Sequence, residues 1–446
     1  MKRIVICGAG EVGRYAAEVL SQDGHHISVV DIRPDKLSSV EEVVDVRSIK
    51  GFSCHPRTLL AAGVPSCDVL IAATNQDEIN LLTAALGKRM GAAKVVARIH
   101  NRAYIDTSDL DYCKQFDIDH LICPEQLTSA AIVGNLEDPG VMAIERFAHN
   151  QIEMHRYTVV DESAAIGAKL SALDLPLGVR VAVISRDGHP FAPGGETVLH
   201  GNDIVTLIGE KRHFKQVQHM FHHRTRRANS VALMGGTSMA EWLAEDLLRR
   251  NFSIRLFERD RARAVEISEK HPKITVIQAD PTDPQEFQEE HLEESAAFIA
   301  VTENDEHNIL GALQAKQLGA PLTCAVIHMP TYVSLLEHLG VDWPFSPRIV
   351  AAKRLLKLVD DSPVKKLATL APKVAIVYEL TAGPGGSAVN RWLKEVTFPK
   401  GMFVAAIQRG TDVRVPGAED RVVAGDVLIV IGHDKCQKTL TELFIR

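Results

Sequence analysis

The chain has 446 residues, 46% hydrophobic and 24% charged, and a formal net charge of −7. A chain of this length is predicted to form several domains of ~100–150 residues, and its mild acidity argues against nucleic acid as the main partner, because a phosphate-backbone binder needs a basic face. Its longest apolar runs fall short of the ~20 residues that a membrane span needs, and the opening "MKRIVICGAGEVG" does not have the pattern of a signal peptide. The seven cysteines contain no CxxC pair and are predicted to be reduced thiols of a cytosolic protein.

Short apolar runs alternate with helical patterns at the start of the chain. The runs at 3–7, 26–31, 67–74 and 94–99 are predicted to be strands, and 77–90 to be a helix. Strands that alternate with helices indicate βαβ units and an open parallel sheet, in which buried strands are continuously apolar. Residues 1–122 are therefore predicted to be a Rossmann-like α/β domain.

The sequence pattern changes after residue 122. Residues 123–140 are predicted to be a crossover helix that begins at a proline, and 141–218 a small β-rich α+β subdomain, because turn sequences such as "RDG" and "PGG" separate its strand patterns. Residues 219–229 are polar and basic and are predicted to be a linker. The linker histidines suggest metal binding as an alternative, but no cysteine or carboxylate completes a ligand shell, and no metal site is predicted.

From residue 230 onward the chain repeats itself. Gly8 recurs 227 residues later as Gly235, "IAATNQDEIN" at 71–80 recurs as "IAVTENDEHN" at 299–308, and the tail from 181 recurs from 404. Ordered blocks of this kind indicate tandem copies of one unit of about 220 residues. The second copy is predicted to contain a Rossmann-like domain at 230–345, a crossover helix at 346–363 and a small subdomain at 364–446.

A glycine fingerprint stands at the first strand–helix junction. Gly8, Gly10 and Gly13 form G-x-G-x-x-G after a predicted strand, and Asp31 ends the next strand. Gly8 allows the tight turn, Gly10 lets the backbone approach phosphates, and Gly13 lets the helix pack closely. A carboxylate at Asp31 accepts hydrogen bonds from ribose hydroxyls and repels a 2′-phosphate, so NAD(H) or an unphosphorylated adenosine ribose is favoured over NADP.

Three further residues are predicted to face the same crevice. Thr74 and Asn75 follow the fourth strand, at the sheet edge where ligands bind in such folds. Arg98 lies in an otherwise apolar strand, and a buried cation needs an anionic partner. That partner is a phosphate chain or, alternatively, the carboxylate of a structural ion pair.

No catalytic constellation accompanies these residues. A dehydrogenase needs a general acid or base near the nicotinamide, but the tail histidines of the first copy, His189 and His200, are replaced by Asp412 and Val423 in the second. The chain is therefore predicted to be a non-enzymatic binding module. An NAD-dependent oxidoreductase that uses the first Rossmann domain is the alternative.

Together, "GAGEVG" with Asp31, "ATNQDEIN", "ARIH" and the β-rich tail, all of them repeated, resemble the RCK domain (regulator of potassium conductance). The tandem form resembles the peripheral subunit of bacterial Trk potassium-uptake systems. The resemblance implies a homotetrameric ring that docks on the cytoplasmic face of a membrane-embedded potassium-translocating subunit. It also implies that the ring binds NAD(H), ATP or ADP, and that nucleotide exchange opens or closes the transporter.

The resemblance assigns first-site roles residue by residue. Asp31 would hold the ribose, Thr74 and Asn75 would form the wall, and Arg98 would lie near the terminal phosphate. At Phe52 the family usually has a polar residue, so a polar contact is doubtful there. The remaining contacts are assigned to the phosphate loop, which comprises Gly8, Ala9, Gly10, Glu11, Val12 and Gly13.

The second copy has a diverged loop. Gly10 is replaced by Thr237, Gly13 by Ala240 and Arg98 by Val326, whereas Asp31 is retained in kind as Glu258. Two alternatives stay open: a site for a ligand with less terminal charge, such as NAD(H), AMP or ADP, or an empty structural copy. The candidate residues of this second site are Gly235, Gly236, Thr237, Ser238, Met239 and Glu258.

Overall fold

The computed structural model describes residues 1–106, 110–137, 141–148, 151–160, 163, 165–221, 229–360, 362–371 and 374–446. The chain divides into two compact units. The Rossmann unit combines Met1–Val133 with Ala228–Val359, and the small-domain unit combines Gly134–Arg227 with Asp360–Arg446. Each unit therefore joins corresponding parts of the two repeats.

The first repeat begins with a parallel sheet, as predicted. The described strands pair in the order β3-β2-β1-β4-β5-β6, which is the order of a dinucleotide-binding sheet. The strands are β1 (Arg3–Cys7), β2 (His26–Asp31), β3 (Arg47–Lys50), β4 (Val69–Ala72), β5 (Lys94–Arg98) and β6 (His120–Ile122). The helices are α1 (Glu11–Gln22), α2 (Pro34–Glu41), α3 (Pro56–Ala61), α4 (Asp77–Met90) and α5 (Tyr112–Phe116).

The apolar strands are continuous because both faces of this sheet are covered. Successive side chains of a strand point to opposite faces. In β4, Leu70 belongs to the core on one face and Ile71 to the core on the other. Val30 and Val29 of β2 divide in the same way. Helix packing on both faces thus explains the run "DVLIAAT".

The crossover helix α6 (Pro124–Glu137) leads to an antiparallel sheet in the small-domain unit. Its described strands pair in the order β10-β9-β11-β8-β7. They are β7 (Val141–Phe147), β8 (Ile152–Thr158), β9 (Val179–Arg186), β10 (His189–Phe191) and β11 (Ile204–Glu210), followed by α7 (Phe214–Phe221).

The second repeat has the same two sheets. Its parallel sheet has the order β14-β13-β12-β15-β16-β17, and its antiparallel sheet the order β18-β19-β22-β20-β21. The parallel strands are β12 (Ser230–Met234), β13 (Ser253–Phe257), β14 (Thr275–Ile277), β15 (Ala297–Ala300), β16 (Thr323–Val326) and β17 (Trp343–Phe345). The helices are α8 (Ser238–Leu248), α9 (Arg261–Lys270), α10 (Pro284–Glu289), α11 (Asp305–Gln317), α12 (Thr331–Leu339) and α13 (Pro347–Val359). The tail contains β18 (Val364–Ala371), β19 (Ala375–Thr381), β20 (Phe403–Arg409), β21 (Asp412–Arg414), β22 (Val427–Gly432) and α14 (Gln437–Phe444). Short 3-10 turns lie at Val64–Ser66, Arg102–Tyr104, Leu170–Ala172, Lys211–His213, Leu292–Glu294 and Leu393–Glu395.

The two small domains repeat one bidentate ion pair. The guanidinium of Arg186 donates from Nε and Nη2 to the two carboxylate oxygens of buried Asp203, both at 2.8 Å. Arg409 and Asp426 repeat the contact at the same two distances. Two parallel N–H donors satisfy the hydrogen-bonding capacity of a buried carboxylate. These repeated polar residues therefore stabilise the fold of the small domains.

Within the Rossmann unit, each crossover helix contacts the other repeat. Ala351 and Leu355 of α13 lie in the same core cluster as Ala16 and Leu20 of α1. Conversely, α6 contacts α8 through a 2.7 Å hydrogen bond from the hydroxyl of Ser129 to Asp246. The two parallel sheets are therefore joined by exchanged helices.

The predicted domain boundaries stay predictions. Helix α7 continues to Phe221, so the predicted linker at 219–229 begins with helical residues, and its residues 222–228 lie outside the described part. Positions 138–140 and 361 of the predicted crossover segments also lie outside it. No helix in the described ranges is both long and apolar enough to cross a membrane.

Candidate functional site

A cavity of about 620 Å³ lies at the carboxyl edge of the first parallel sheet. We call it the first cavity. The structure brings several predicted site residues together in its lining, whereas Ala9 and Val12 are buried beside it and Gly13 packs against the loop. The predicted residues that line it are Gly8, Gly10, Glu11, Asp31, Thr74, Asn75 and Arg98.

The three glycines have different roles. Gly8 has a φ of +108°, and an added Cβ would lie 2.6 Å from the carbonyl oxygen of Ala73. A Cβ on Gly13 would lie 1.9 Å from the carbonyl oxygen of Gly8, so α1 approaches the loop as closely as backbone allows. A Cβ on Gly10 would meet nothing within 4 Å. Gly8 and Gly13 are thus required by packing, and Gly10 faces open space.

The start of α1 is suited to an anion. Gly10 is the N-cap residue, in extended conformation (φ −69°, ψ −172°), and it has no side chain that could accept from the first N–H groups of the helix. Those groups lack intrahelical partners, and with the helix dipole they attract negative charge. The first cavity therefore has an uncapped helix N-terminus in its wall.

The carboxylate of Asp31 is held in place by the loop itself. Its Oδ2 accepts the backbone N–H of Ala9 at 2.7 Å, and its Oδ1 accepts that of Arg33 at 2.9 Å. Each carboxylate oxygen has a second lone pair to offer. Asp31 is thus oriented before any ribose binds.

A buried asparagine joins the ends of β4 and β5. The Oδ1 of Asn80 accepts from the N–H and the hydroxyl of Thr74 at 2.8 and 2.7 Å, and its Nδ2 donates to the carbonyl oxygen of Arg98 at 2.9 Å. Asn80 is fully buried. This network, which the sequence did not single out, fixes Thr74 relative to Arg98.

The guanidinium of Arg98 has unused hydrogen-bonding capacity. Its Nε is buried and has no hydrogen-bond partner among the described residues. Burial lowers the pKa of Arg98, and the carboxylates of Glu125 and Asp77 oppose this only in part. An arginine nevertheless stays protonated at neutral pH. An incoming phosphate would satisfy this cation.

The nearest competing carboxylate, Glu125, is already engaged. Its Oε1 lies 2.8 Å from Nδ1 of His100. Burial, the largest single influence, raises the pKa of Glu125, but the hydrogen bond and charge of His100, a backbone hydrogen bond and the charge of Arg98 together leave the net pKa below the ordinary value. Asp77 accepts the backbone N–H groups of His100 and Asn101. These contacts weaken the alternative of a structural ion pair for Arg98.

Sequence reasoning missed part of the first cavity. Arg33 and Lys36 line it from the segment after β2, and Phe52 lines it after β3 with 54% of its side chain exposed. Phe52 offers an apolar surface at the position where a polar contact was doubtful. The βαβ pattern could have indicated these lining residues, because residues that follow parallel strands meet at one edge of the sheet.

A second cavity of about 360 Å³ occupies the equivalent place in the second repeat. Of its predicted residues, Gly235, Gly236, Thr237 and Glu258 line it, whereas Ser238 and Met239 do not. The scaffold is retained. The carboxylate of Glu258 accepts the N–H of Gly236 at 2.6 Å, as Asp31 does from Ala9.

At the start of α8, protein groups occupy the end of the second cavity where the sequence predicts phosphate contacts. The hydroxyl of Thr237 accepts the N–H of Ala240 at 3.2 Å and donates to the carbonyl oxygen of Val301 at 2.8 Å, so it caps α8. The Nε of Arg263 donates to the carbonyl oxygen of Gly236 at 2.7 Å. Sequence reasoning missed Arg263, which stands 227 residues after Lys36.

Glu241, on α8, forms ion pairs with the basic residues near this end of the second cavity. Its carboxylate pairs with Arg263 at 2.5 Å, with His271 at 2.9 Å and with Lys270. Burial raises the pKa of Glu241, but these cations lower it more, to about 2. The cations at this end are thus neutralised by a protein carboxylate rather than left for a ligand.

The described residues with possible metal ligands and thiols do not include His222 and His223 of the predicted linker. Within the described ranges, no group of three His, Cys, Asp or Glu side chains is arranged to hold a metal ion. All seven cysteines are described, and none forms a disulfide.

Comparisons with family models and with known relatives agree on one family. The model of the TrkA-N domain matches residues 4–124 and 231–347, and that of the TrkA-C domain matches 154–222 and 377–445. The chain is 31% identical to the Trk system potassium uptake protein TrkA of Haemophilus influenzae, over 97% of this chain and 96% of that protein. It is 29% identical to homolog 2 of that protein from Methanosarcina mazei, over the full length of both.

Solved structures share the fold. The RCK domain of GsuK has a TM-score of 0.64 at 17% identity, covering 99% of this chain and 94% of that one. The GsuK channel bound to NAD has a TM-score of 0.64, also at 17% identity, and covers 98% and 78%. GsuK bound to ADP has a TM-score of 0.51 at 13% identity, covering 80% and 69%.

The cluster around Glu241 yields a pH-dependent prediction. Glu241→Gln should lower the free energy of unfolding at pH 7 by about 1–2 kcal/mol, because charge-assisted hydrogen bonds are lost. The native pKa of Glu241 is about 2, against 4.5 for the unperturbed group. The contribution is therefore fully present above about pH 4.5 and is lost as the pH falls toward 2. Urea unfolding at several pH values, followed by the fluorescence of the three tryptophans, one of which is Trp242 on α8, measures it.

Glu266→Gln is the control, because Glu266 also pairs with Arg263 but is 62% exposed. We expect that change to cost less than about 0.5 kcal/mol. An equal effect of both substitutions, or a Glu241→Gln effect independent of pH, would contradict the assigned role.

Proposed function

Because the chain belongs to the TrkA family of Trk-system potassium-uptake proteins, we propose that it is the nucleotide-sensing, gating subunit of a membrane potassium transporter. In this proposal it is a cytoplasmic protein, peripheral on the inner face of the membrane. It assembles as a homotetrameric ring on a Trk-type potassium-translocating subunit. Its ligands are NAD(H), ATP or ADP, and its action is regulatory rather than enzymatic.

The observation that carries the proposal is the construction of the first cavity. An uncapped helix N-terminus, the oriented carboxylate of Asp31 and the underused guanidinium of Arg98 line one space of about 620 Å³. These groups match, in turn, a phosphate chain, a ribose and a terminal phosphate. Phe52 adds an exposed aromatic face for a base.

The choice of ligand follows from charge. Asp31 disfavours a 2′-phosphate, which supports NAD(H) or an adenosine nucleotide over NADP. Structural neighbours described as the GsuK channel bound to NAD and as GsuK bound to ADP support the same ligand classes. ATP and ADP differ only at the terminal phosphate. We therefore infer that Arg98 discriminates between them.

Gating follows from differential affinity. A ligand shifts a conformational equilibrium only by the difference between its affinities for the two states. A tenfold difference corresponds to about 1.4 kcal/mol. In our proposal, replacing ADP by ATP, or either by NAD(H), changes which ring state is preferred, and the membrane subunit opens or closes accordingly.

For the second cavity we favour the empty structural copy. Thr237 caps the helix that would receive phosphate, and Arg263 is held by Glu241. The retained carboxylate of Glu258 leaves a ribose contact available, so NAD(H), AMP or ADP remain the alternative ligands. Their phosphates would have to displace protein hydrogen bonds.

The alternative enzymatic function is an NAD-dependent oxidoreductase. It would also use the first cavity, but the relatives that match over the full length have the names of potassium-uptake proteins. Tight binding of NADP to a monomer, without a membrane partner, would favour that alternative.

Gly10→Thr gives the first cavity the residue that caps the second. Because a Cβ at this position meets nothing within 4 Å, the fold should be kept. The new hydroxyl should cap α1 and occupy the phosphate position. We expect the affinities for ATP, ADP and NAD(H), measured by isothermal titration calorimetry, to fall at least tenfold with the melting temperature unchanged or slightly higher.

The control is Thr237→Gly, which should leave the strongest nucleotide affinity unchanged. Residual binding to the Gly10→Thr chain would report on the second cavity, and we expect none. Wild-type affinity for ATP in the Gly10→Thr chain would exclude the α1 loop as the phosphate site.

Arg98→Ala tests nucleotide discrimination. Losing a charge-assisted contact of about 1.5–3 kcal/mol should weaken ATP binding by about 10- to 100-fold. ADP binding should change by less than about threefold, because ADP lacks the phosphate concerned. Arg33→Ala is the matched control, since Arg33 lines the same cavity but is 61% exposed and pairs with Asp35. An unchanged ratio of ATP to ADP affinity would rule out Arg98 as the discriminating group.

Potassium flux tests the function as a whole. Liposomes containing a Trk-type membrane subunit would be assayed with this chain, with and without ATP, ADP or NAD(H). We expect co-purification of the two proteins and a flux that depends on the nucleotide. The Gly10→Thr chain should still co-purify but should not confer the response. Flux that ignores the chain or the nucleotide would refute the gating function.

A further inference from the structure

An arginine of the second repeat forms an ion pair with a residue that lines the first cavity. Arg348 lies in the first turn of α13 and forms an ion pair, through Nη2, with the carboxylate of Glu11. Glu11 is the first residue of α1 and lines the first cavity. The side chain of Arg348 is 15% exposed and that of Glu11 is 61% exposed. A largely buried cation from one repeat is thus held at the start of α1 in the other.

Glu11 is an acidic residue in the first turn of α1. Without a ligand it interacts favourably with the helix N-terminus. With a phosphate chain on the same N-terminus it would repel the ligand, because like charges at close range disfavour each other. The ion pair with Arg348 neutralises that charge. The carboxylate of Glu11 and a bound phosphate would therefore compete for the same positive groups, which are the start of α1 and the guanidinium of Arg348.

The repeats differ in charge at these positions. The residue of α6 that corresponds to Arg348, 223 positions earlier, is Glu125, which contacts His100 of its own repeat. The residue that corresponds to Glu11 is Ser238. Of the two corresponding residues, Arg348 is the cation, and it pairs with the other repeat. That pair lies at the first cavity, whose helix α1 is uncapped.

Arg348 also has donor capacity to spare. Its Nε is buried and has no hydrogen-bond partner in the described part of the chain. A guanidinium has five N–H donors, and a phosphate group accepts several of them. Arg98, which lines the first cavity, has an unpartnered Nε of the same kind.

We propose that the first site is composite, with Arg348 of the second repeat as the second cationic ligand of the terminal phosphates. When a phosphate chain binds, Arg348 exchanges the carboxylate of Glu11 for a phosphate oxygen. This inference rests on the proposed nucleotide-binding function. It makes phosphate-chain length a determinant of the contact between α13 and the first site.

The test compares ligands that differ only in phosphate number. ATP, ADP and AMP would be titrated by calorimetry into the full chain and into Arg348→Ala. We expect ATP affinity to fall about tenfold or more and AMP affinity to change by less than about threefold. An equal loss for all three ligands would overturn the proposal, because a purely structural role acts on every nucleotide alike.

A double substitution separates direct contact from neutralisation. Glu11→Gln should raise ATP affinity several-fold by removing the competing charge. Adding Arg348→Ala to Glu11→Gln should again lower ATP affinity about tenfold. If the double variant binds ATP as tightly as Glu11→Gln alone, Arg348 only neutralises Glu11, and the proposal fails.

Arg354→Ala is the matched control, because Arg354 is an exposed arginine of the same helix. It should change no affinity. Melting temperatures and AMP affinity show that each variant is folded. If the unmodified chain binds no nucleotide, the proposed function itself fails. If the unmodified chain binds ATP but Arg348→Ala does not weaken ATP binding selectively, only the inference about Arg348 fails.

Discussion

The first cavity depends on one close backbone contact, between α1 at Gly13 and the carbonyl oxygen of Gly8. Gly8 adopts a φ of +108°, which favours glycine, and any Cβ on Gly13 would overlap the Gly8 oxygen at 1.9 Å, so the contact requires glycine at position 13. It places the start of α1 at the carboxyl edge of β1. There the unpaired N–H groups of the helix face the same space as Asp31 and Arg98. Without this approach, the carboxylate of Asp31 and the start of α1 would not line a single cavity.

The two repeats retain the scaffold and differ in the chemistry at its phosphate end. Hydrogen bonds from the loop N–H to the carboxylate after the second strand are present in both, through Asp31 and Glu258. In the first repeat the helix start is left open. In the second, Thr237 caps the helix and Glu241 neutralises the nearby cations. One fold thus supports a helix start that is left uncapped and one whose polar groups are satisfied by the protein itself.

The repeats are not independent modules, because each crossover helix packs against the other copy. Leucine and alanine side chains of α13 share a core with α1, and the ion pair from Arg348 to Glu11 lies at the end of that contact. On the opposite side, Arg102 of the first repeat stacks over Trp242 of α8, with 4.7 Å from its guanidinium carbon to the ring centroid, and also pairs with Glu245. The start of α1 therefore contacts a group of the partner repeat directly. In the proposed function, this contact would couple nucleotide occupancy to the position of α13.

The sequence by itself determined the parallel sheets, the tandem repeat and the residues that follow β1, β2 and β4, because hydrophobic period, glycine spacing and internal repetition are local patterns along the chain. It also located Arg98, since a charge within an apolar strand is visible without a structure. It did not identify Arg263, Asn80 or Arg348 as site components. Lateral packing of the strands decided that Asn80 joins β4 to β5, and the exchange of crossover helices decided that Arg348 meets Glu11. Contacts between residues hundreds of positions apart depend on how the elements pack in space, and only the tertiary structure specifies that.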